Sequence, residues 1–403
     1  MKIVEINGVN IGSTGKIMFG IAEELRNHGH DVWTFSPYYY QRKKTNLFPK
    51  IKGHTYFGYC AENMLHLRLS QLTGFHGCFS YFGTRQLVNY IGKIQPDVIH
   101  LHNLHNWTFN LPLLFSYLKK SDVKIIWTLH DCWSMTGQCP HFEIEQCNKW
   151  KTGCYACPKI HEYPKAFVDR TKVMWKLKKR WFSNIKDLTI VTPSEWLSNL
   201  VKKSYLKNYP VKVINNGIDL SIFNEKSNSL NFWNIKAGHY KYIVLGVAFD
   251  WSKKKGLDVF LELSKRLPKE YKIVLVGTNE NIDKSLPANI ISIHRTNNQK
   301  ELAEIYSESD VFVNPTREDT YPTVNIEALA CGTPVVTFKT GGSPEIIDDS
   351  CGIVVEKEDI IGLIKAIKNI CENKIISRKS CIEKSKNNGS KERFLEYVKL
   401  IEK

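Results

Sequence analysis

Residues 316–347 hold the densest set of groups able to do chemistry: an acidic pair at Glu318 and Asp319, a Thr320-Tyr321-Pro322-Thr323 turn, and Glu327. Pro322 suits the first position of a helix that carries Glu327 and stops at Gly332. Val335–Phe338 reads as a buried strand, with a second glycine loop at Gly341-Gly342. A helix start offers unpaired N–H groups and a positive dipole to an anion, while flanking carboxylates accept hydroxyls from a sugar or ribose. Pro322 has no N–H, which leaves Thr320, Tyr321 and Thr323 as the backbone contacts for a phosphate. A ligand carrying both a diphosphate and many hydroxyls, such as a nucleotide diphosphate sugar, fits this design.

Three other groups of residues invite the same question. Lys253-Lys254-Lys255-Gly256 follows an apolar strand and precedes a helix, where a diphosphate would rest. Trp127-Thr128-Leu129-His130-Asp131 ends a strand and enters a loop, and there His130 can meet a substrate while Asp131 orients it or binds an acceptor. His100, His102 and His105 are spaced for a metal, but no carboxylate or cysteine is near them in sequence, so they read as the wall of a site. Cys139, Cys147, Cys154 and Cys157 follow a C-x7-C-x6-C-x2-C pattern able to hold a structural zinc, with His141 and His161 as replacement ligands. Unpaired core or loop thiols are the alternative.

The elements that must position these residues alternate regularly. Strands are expected at Lys2–Ile6, 31–35, Val98–Leu101, 124–129 and Leu188–Thr192, with helices over 16–28 and 103–120. The alternation restarts with strands at Tyr242–Val247, 273–276 and 310–314 and helices over 256–266 and 300–307. This pattern predicts two doubly wound, parallel-sheet, Rossmann-like domains facing each other across a cleft, with ligands at the carboxyl ends of the strands. The expected division is 1–215, with a cysteine-rich insertion at about 132–165, then 216–385, then a C-terminal helix over 386–403. The loop from Gly8 to Lys16 lacks the Ser or Thr of a phosphate-binding P-loop and is not G-x-G-x-x-G. It remains a turn through which Gly12 and Gly15 let backbone N–H groups approach a ligand.

The 316–347 stretch, Lys254-Lys255-Gly256, His130 and the Asn216-Gly217 turn together resemble the family 4 retaining glycosyltransferases, which have the two-domain GT-B fold. Residues 129–137, the four cysteines, Cys157-Pro158 and Tyr163-Pro164 resemble a bacterial branch that builds colanic acid, capsule and exopolysaccharide. The family pattern is E-x7-E. Counting eight back from Glu327 reaches Asp319, with Glu318 one residue earlier, so the chain uses aspartate there or shifts its loop. The resemblance implies transfer of a sugar, with retention, from a nucleotide diphosphate sugar to a glycan acceptor on a polyprenyl diphosphate. It implies Asp319 on the donor sugar, Glu327 on the ribose, and His130 at the reacting face. Lys254, Lys255, Gly12, Gly15, Thr320 and Tyr321 would hold the diphosphate. No cofactor is then required for catalysis, and no Asp-x-Asp occurs in the chain. An epimerase or phosphorylase on the same fold is the rival reading within enzymes.

Charge and composition bound the partners. Of the formal +16, residues 1–220 carry 29 Lys+Arg against 15 Asp+Glu, and the remainder is nearly balanced. A basic first half suits an anionic surface, either lipid or nucleic acid. Segment 172–182 interleaves basic and bulky apolar residues as interfacial helices do. A nucleic-acid-binding protein with a zinc-like cysteine cluster is the alternative from another class, though the lysines are scattered and the aromatics form no stacking pattern. The chain opens on a strand and a glycine turn rather than a signal peptide, and no apolar run nears twenty residues. The expectation is a cytoplasmic protein, peripheral on the inner face of the membrane, with its eleven cysteines reduced.

Overall fold

The computed structural model describes residues 1–39, 50–105, 107–225 and 240–403. The chain divides into two units, Met1–Ile214 with Phe394–Lys403, and Asn215–Arg393. All strand pairings are parallel in both.

The first unit is built on a seven-stranded sheet: β1 (Lys2–Ile6), β2 (Asp31–Pro37), β3 (His54–Phe57), β4 (Val98–Leu101), β5 (Lys124–Thr128), β6 (Leu188–Thr192) and β7 (Val211–Val213). Their order, β3-β2-β1-β4-β5-β6-β7, reverses direction between β1 and β4. Burial on both faces explains the near-continuous apolar runs, such as Ile3, Val4 and Ile6 in β1. Tyr397, Val398 and Ile401 of helix Ser390–Glu402 are buried against Ile3, Ile21, Leu25, Val98 and Ile126. The Lys124 ammonium donates to the Leu400 carbonyl at 2.8 Å, satisfying an end-of-helix acceptor.

The second unit has β8 (Tyr242–Val247), β9 (Tyr271–Val276), β10 (Ile290–Ile293), β11 (Val311–Asn314), β12 (Val335–Phe338) and β13 (Gly352–Val355). The order β10-β9-β8-β11-β12-β13 reverses between β8 and β11. In open sheets of this kind, ligands bind outside the carboxyl ends of the strands at that reversal.

Two expected helices differ from what is found. The helix expected over 103–120 spans only Leu111–Lys120, because the Asn110 side chain caps it by accepting from the Leu113 N–H. The helix expected from residue 16 begins earlier, at Gly12, so the glycine loop is itself the first helical turn.

Candidate active site

In the first unit the site gathers at the carboxyl ends of β1, β4 and β5. Gly15 lies so close to the preceding loop that a Cβ would stand 2.6 Å from the Asn10 carbonyl carbon, so only glycine permits this turn. Gly12 is the first residue of the following helix. The buried Asn7 donates to Thr14 at 3.2 Å, and its Oδ1 has no hydrogen-bond partner among the described residues. An orphaned buried acceptor beside a glycine loop marks a place where a ligand donor is wanted.

Beneath this loop runs a buried chain of ionisable groups. Glu5, His100 and His102 have no solvent exposure. Glu5 Oε1 lies 3.0 Å from His100 Nδ1, and Oε2 lies 2.9 Å from His102 Nε2. His102 Nδ1 lies 3.1 Å from His130 Nε2, with the two rings stacked. Burial alone would raise the Glu5 pKa, but the two histidines outweigh it and bring it down to about 2. Burial lowers His102 to about 4, and burial together with His102 lowers His130 to about 3. Both imidazoles are therefore neutral at pH 7. An ionised Glu5 can only accept, so the His102 proton sits on Nε2 and its Nδ1 must accept from His130 Nε2–H. His130 is left with Nδ1 as its unprotonated nitrogen. His102, His105, His130 and Asp131 line one small cavity.

Two expectations change here. The triple-histidine set does have a carboxylate partner, Glu5, contributed by the neighbouring strand β1 rather than by nearby sequence. The ligand atoms of Glu5, His100 and His102 lie within 4.8 Å of one another, but both carboxylate oxygens already meet an imidazole. Asp131 does not orient His130. Its Oδ2 lies 2.8 Å from His105 Nε2, and its Oδ1 accepts from the Trp133 N–H. His105 outweighs burial and holds Asp131 below the usual carboxylate range.

In the second unit the site occupies the reversal between β8 and β11. Lys255 Nζ is 2.6 Å from Asp319 Oδ2, with the two side chains 29% and 20% exposed. Lys254 is half-buried, and its carbonyl accepts from the Arg317 N–H at 2.9 Å. Glu318 is buried at 1% exposure, so of the acidic pair it is Asp319 that reaches solvent. Gly341 has φ +55°, and a Cβ there would stand 1.7 Å from the Asp319 carbonyl oxygen. The loop bearing Asp319 thus packs directly on a glycine backbone.

Pro322 is the N-cap, one residue before the position expected, and the helix runs Thr323–Ala330. The Tyr321 N–H, expected to serve a phosphate, donates to Asp319 Oδ1 at 3.3 Å. Thr320 is buried, and Thr323 is half-buried in the first turn of the helix. Glu327 is half-buried on the same helix and accepts from Tyr306 OH at 3.3 Å.

Two devices that hold this site were not read from the sequence. Arg317, 4% exposed, bonds both oxygens of Asp258 at 2.7 and 2.9 Å and both of Glu358 at 2.5 and 2.8 Å. It also donates to the Lys253 carbonyl, so it clamps the lysine loop to the loop after β11. Asn314, Asn325, Ser343 and Thr337 form a buried network with bonds of 2.7, 2.9 and 2.7 Å, tying the helix start to both strands. The cue for the network is a polar residue inside an apolar run, as Asn325 between Val324 and Ile326, whereas Arg317 stands in a polar loop that offers none.

Comparison with known proteins now decides the class. Residues 15–222 match the model described as Glycosyltransferase Family 4, and residues 241–373 match that of Glycosyl transferases group 1. The chain belongs to glycosyltransferase family 4. It is 26% identical over 282 residues to the putative colanic acid biosynthesis glycosyl transferase WcaC of Escherichia coli K12, covering 68% of this chain and 67% of that one. It is 25% identical to an uncharacterised 41.2 kDa protein in the cps region of Klebsiella pneumoniae, covering 65% and 66%. Sucrose-phosphate synthase from Thermosynechococcus elongatus superposes with a TM-score of 0.72 at 17% identity, covering 100% of this chain and 98% of that one. Anabaena HepE in complex with UDP gives 0.67 at 14% identity, covering 100% of both. The protein is a glycosyltransferase with the two parallel-sheet α/β domains of the GT-B fold, as the resemblance implied.

Proposed function

We propose that this glycosyltransferase moves a sugar from a nucleotide diphosphate sugar to a hydroxyl of a glycan acceptor carried on a polyprenyl diphosphate, with retention, in bacterial surface-polysaccharide synthesis. The observation that carries the donor class is Lys254 and Lys255 beside the start of helix Thr323–Ala330, at the reversal of the second sheet. Structures of HepE titled as complexes with UDP and with UDP-glucose support the same class.

In this reading the bond from the anomeric carbon to the β-phosphate oxygen breaks, and the acceptor oxygen bonds to that carbon on the same face. The departing phosphate takes the acceptor proton, so no separate general base is needed. Lys255 and Lys254, with backbone groups at Gly12, Gly15, Thr320 and Thr323, neutralise the leaving diphosphate. Asp319 accepts donor-sugar hydroxyls and Glu327 the ribose hydroxyls, while His130 Nδ1 accepts a sugar hydroxyl in a tautomer set by Glu5 through His102. Donor binding then exchanges partners in the Lys255–Asp319 pair, as the ammonium turns to phosphate and the carboxylate to hydroxyls. Catalysis proceeds without a divalent metal.

No helix among the described residues is long and apolar enough to cross a membrane. Contact with an anionic leaflet, and with it a cytoplasmic, membrane-peripheral location, fits helix Thr171–Phe182. That helix spends Met174, Trp175 and Phe182 on the protein's own core, so what it offers a leaflet is the charge of Lys172, Lys176, Lys179 and Arg180 rather than an apolar face.

The test is product analysis with UDP-, GDP- and ADP-sugars, with and without a polyprenyl-diphosphate glycan. Acceptor-dependent release of nucleoside diphosphate, with the anomeric configuration kept, is expected. Isomerised donor without acceptor, or consumption of inorganic phosphate, would replace this reading with an epimerase or a phosphorylase.

A further inference from the structure

Between β5 and helix Thr171–Phe182 the chain runs for some forty residues with only two single-turn helices, Trp133–Met135 and Lys149–Lys151. A connection this long without regular structure needs something besides backbone ladders to hold it. Phe142 and Trp150 stack at 5.1 Å, and the Trp150 carbonyl accepts from Trp175 Nε1 at 2.8 Å. Around that stack all four cysteines of the motif, Cys139, Cys147, Cys154 and Cys157, line one cavity of ≈ 20 Å³. That is room for a single water-sized particle.

Backbone and side-chain donors gather around the sulfurs. The Gly137 N–H donates to Cys154 Sγ at 3.1 Å. Cys139 and Cys157 lie close enough to perturb each other, and the Lys159 backbone lies beside Cys157. Lys149 folds over the Cys154–Cys157 turn, donating to the carbonyls of Tyr155 and Ala156 at 3.1 and 2.9 Å. Lys178 is fully buried beside the cluster, bonded to the Trp133 carbonyl and 3.6 Å above the Trp133 ring, with no carboxylate in ion-pair contact among the described residues. Four thiolates around one divalent cation carry a net charge of about −2, which Lys178 and Lys149 offset.

We propose that Cys139, Cys147, Cys154 and Cys157 bind one zinc ion in a closed tetrahedral S4 site that fastens this segment to the first unit. Four thiols release their protons on binding, and no open position is left for chemistry. No three of the four sulfurs lie within 4.8 Å of one another, whereas neighbouring sulfurs on zinc stand about 3.8 Å apart for Zn–S bonds near 2.3 Å. Loading therefore draws the side chains inward, and Gly153 next to Cys154 gives that loop the freedom to follow. The competing fate of the cluster is a Cys139–Cys157 disulfide, which would engage two of the four thiols and leave the other two idle.

The test uses the full chain, purified without chelator under reducing conditions. Elemental analysis is expected to give about one zinc per chain. Cobalt exchanged into the wild-type protein is expected to show thiolate-to-metal charge transfer and the visible bands of a tetrahedral site. Each Cys→Ser variant is expected to lower zinc content at least tenfold and to lower the melting temperature. Because a variant can fail by misfolding, the cobalt spectrum of the wild type stands as the independent readout. Less than a tenth of an equivalent of zinc after reconstitution with zinc chloride, octahedral cobalt bands, or a Cys139–Cys157 disulfide in freshly isolated protein would each overturn the site. None of these readouts depends on transferase activity.

Discussion

The two sheets place their reactive groups at equivalent reversals, yet the groups are held in opposite ways. In the first unit a fully buried carboxylate fixes two neutral imidazoles in series, and the last of them, His130, borders the cavity. In the second unit Lys255 and Asp319 stand half-exposed and paired with each other. The contrast follows from what each can bear. A buried carboxylate costs several kcal/mol of desolvation unless it is bonded on both oxygens, so that site is rigid before any ligand arrives. The lysine–aspartate pair is solvated and weak, so a diphosphate can displace one partner at little cost.

Breaking the buried chain is expected to have the largest effect. Glu5→Leu leaves the buried N–H donors of His100 and His102 without their acceptor and should destabilise the protein by about 1–3 kcal/mol for each, measured by urea denaturation. A change under about 1 kcal/mol would mean that the histidines, not the carboxylate, organise the chain. Next comes Lys255→Ala, for which a loss of about 2–4 kcal/mol in transition-state stabilisation is expected, seen as a fall in kcat/KM with folding intact. Arg317→Met should cost about 1–2 kcal/mol of stability, since its two carboxylate partners are half in water.

Acidity sharpens the same comparison. His102 and His130 titrate near 4 and 3 when folded, below the ordinary 6.5. The unfolded chain therefore takes up protons that the folded chain refuses, and stability should fall as pH drops from about 6.5 towards 4. Glu5, lowered to about 2, adds to this loss below about 4.5, where the unfolded carboxylate takes up a proton that the folded one refuses. A urea midpoint unchanged between pH 7 and 5 would contradict the buried neutral tautomers. Smallest of all is the response to EDTA: turnover in assays without added metal should be unaffected, and loss restored by Mn²⁺ would contradict the mechanism.

Much of this is legible in the sequence. Apolar strands ending in glycine or polar loops gave the doubly wound pattern, and the Thr320–Glu327 stretch pointed to the reversal in the second sheet. What escaped lies in pairings between distant segments. Glu5 sits in the run Lys-Ile-Val-Glu-Ile and acquires meaning only when β1 pairs with β4 and brings His100 alongside. Arg317 looked like a loop residue because its partners, Asp258 and Glu358, are 59 and 41 residues away. Apolar pattern alone extends the helix of 111–120 back to 103, although Asn110-Leu111-Pro112, a capping residue followed by a proline, marks its start. Strands β3 and β7 are short edge strands with little apolar pattern, and edge position is not visible in one sequence.

The central claim is that the lysines after β8 hold the diphosphate of a sugar donor. Calorimetric titration of UDP-, GDP- and ADP-sugars into the wild-type protein and Lys255→Ala tests it most directly. At least one donor should bind the wild type in the micromolar range and bind the variant tenfold or more weakly, with the free nucleoside diphosphate losing affinity in parallel. Equal affinity in both proteins, or no binding by any nucleotide sugar, would contradict the account.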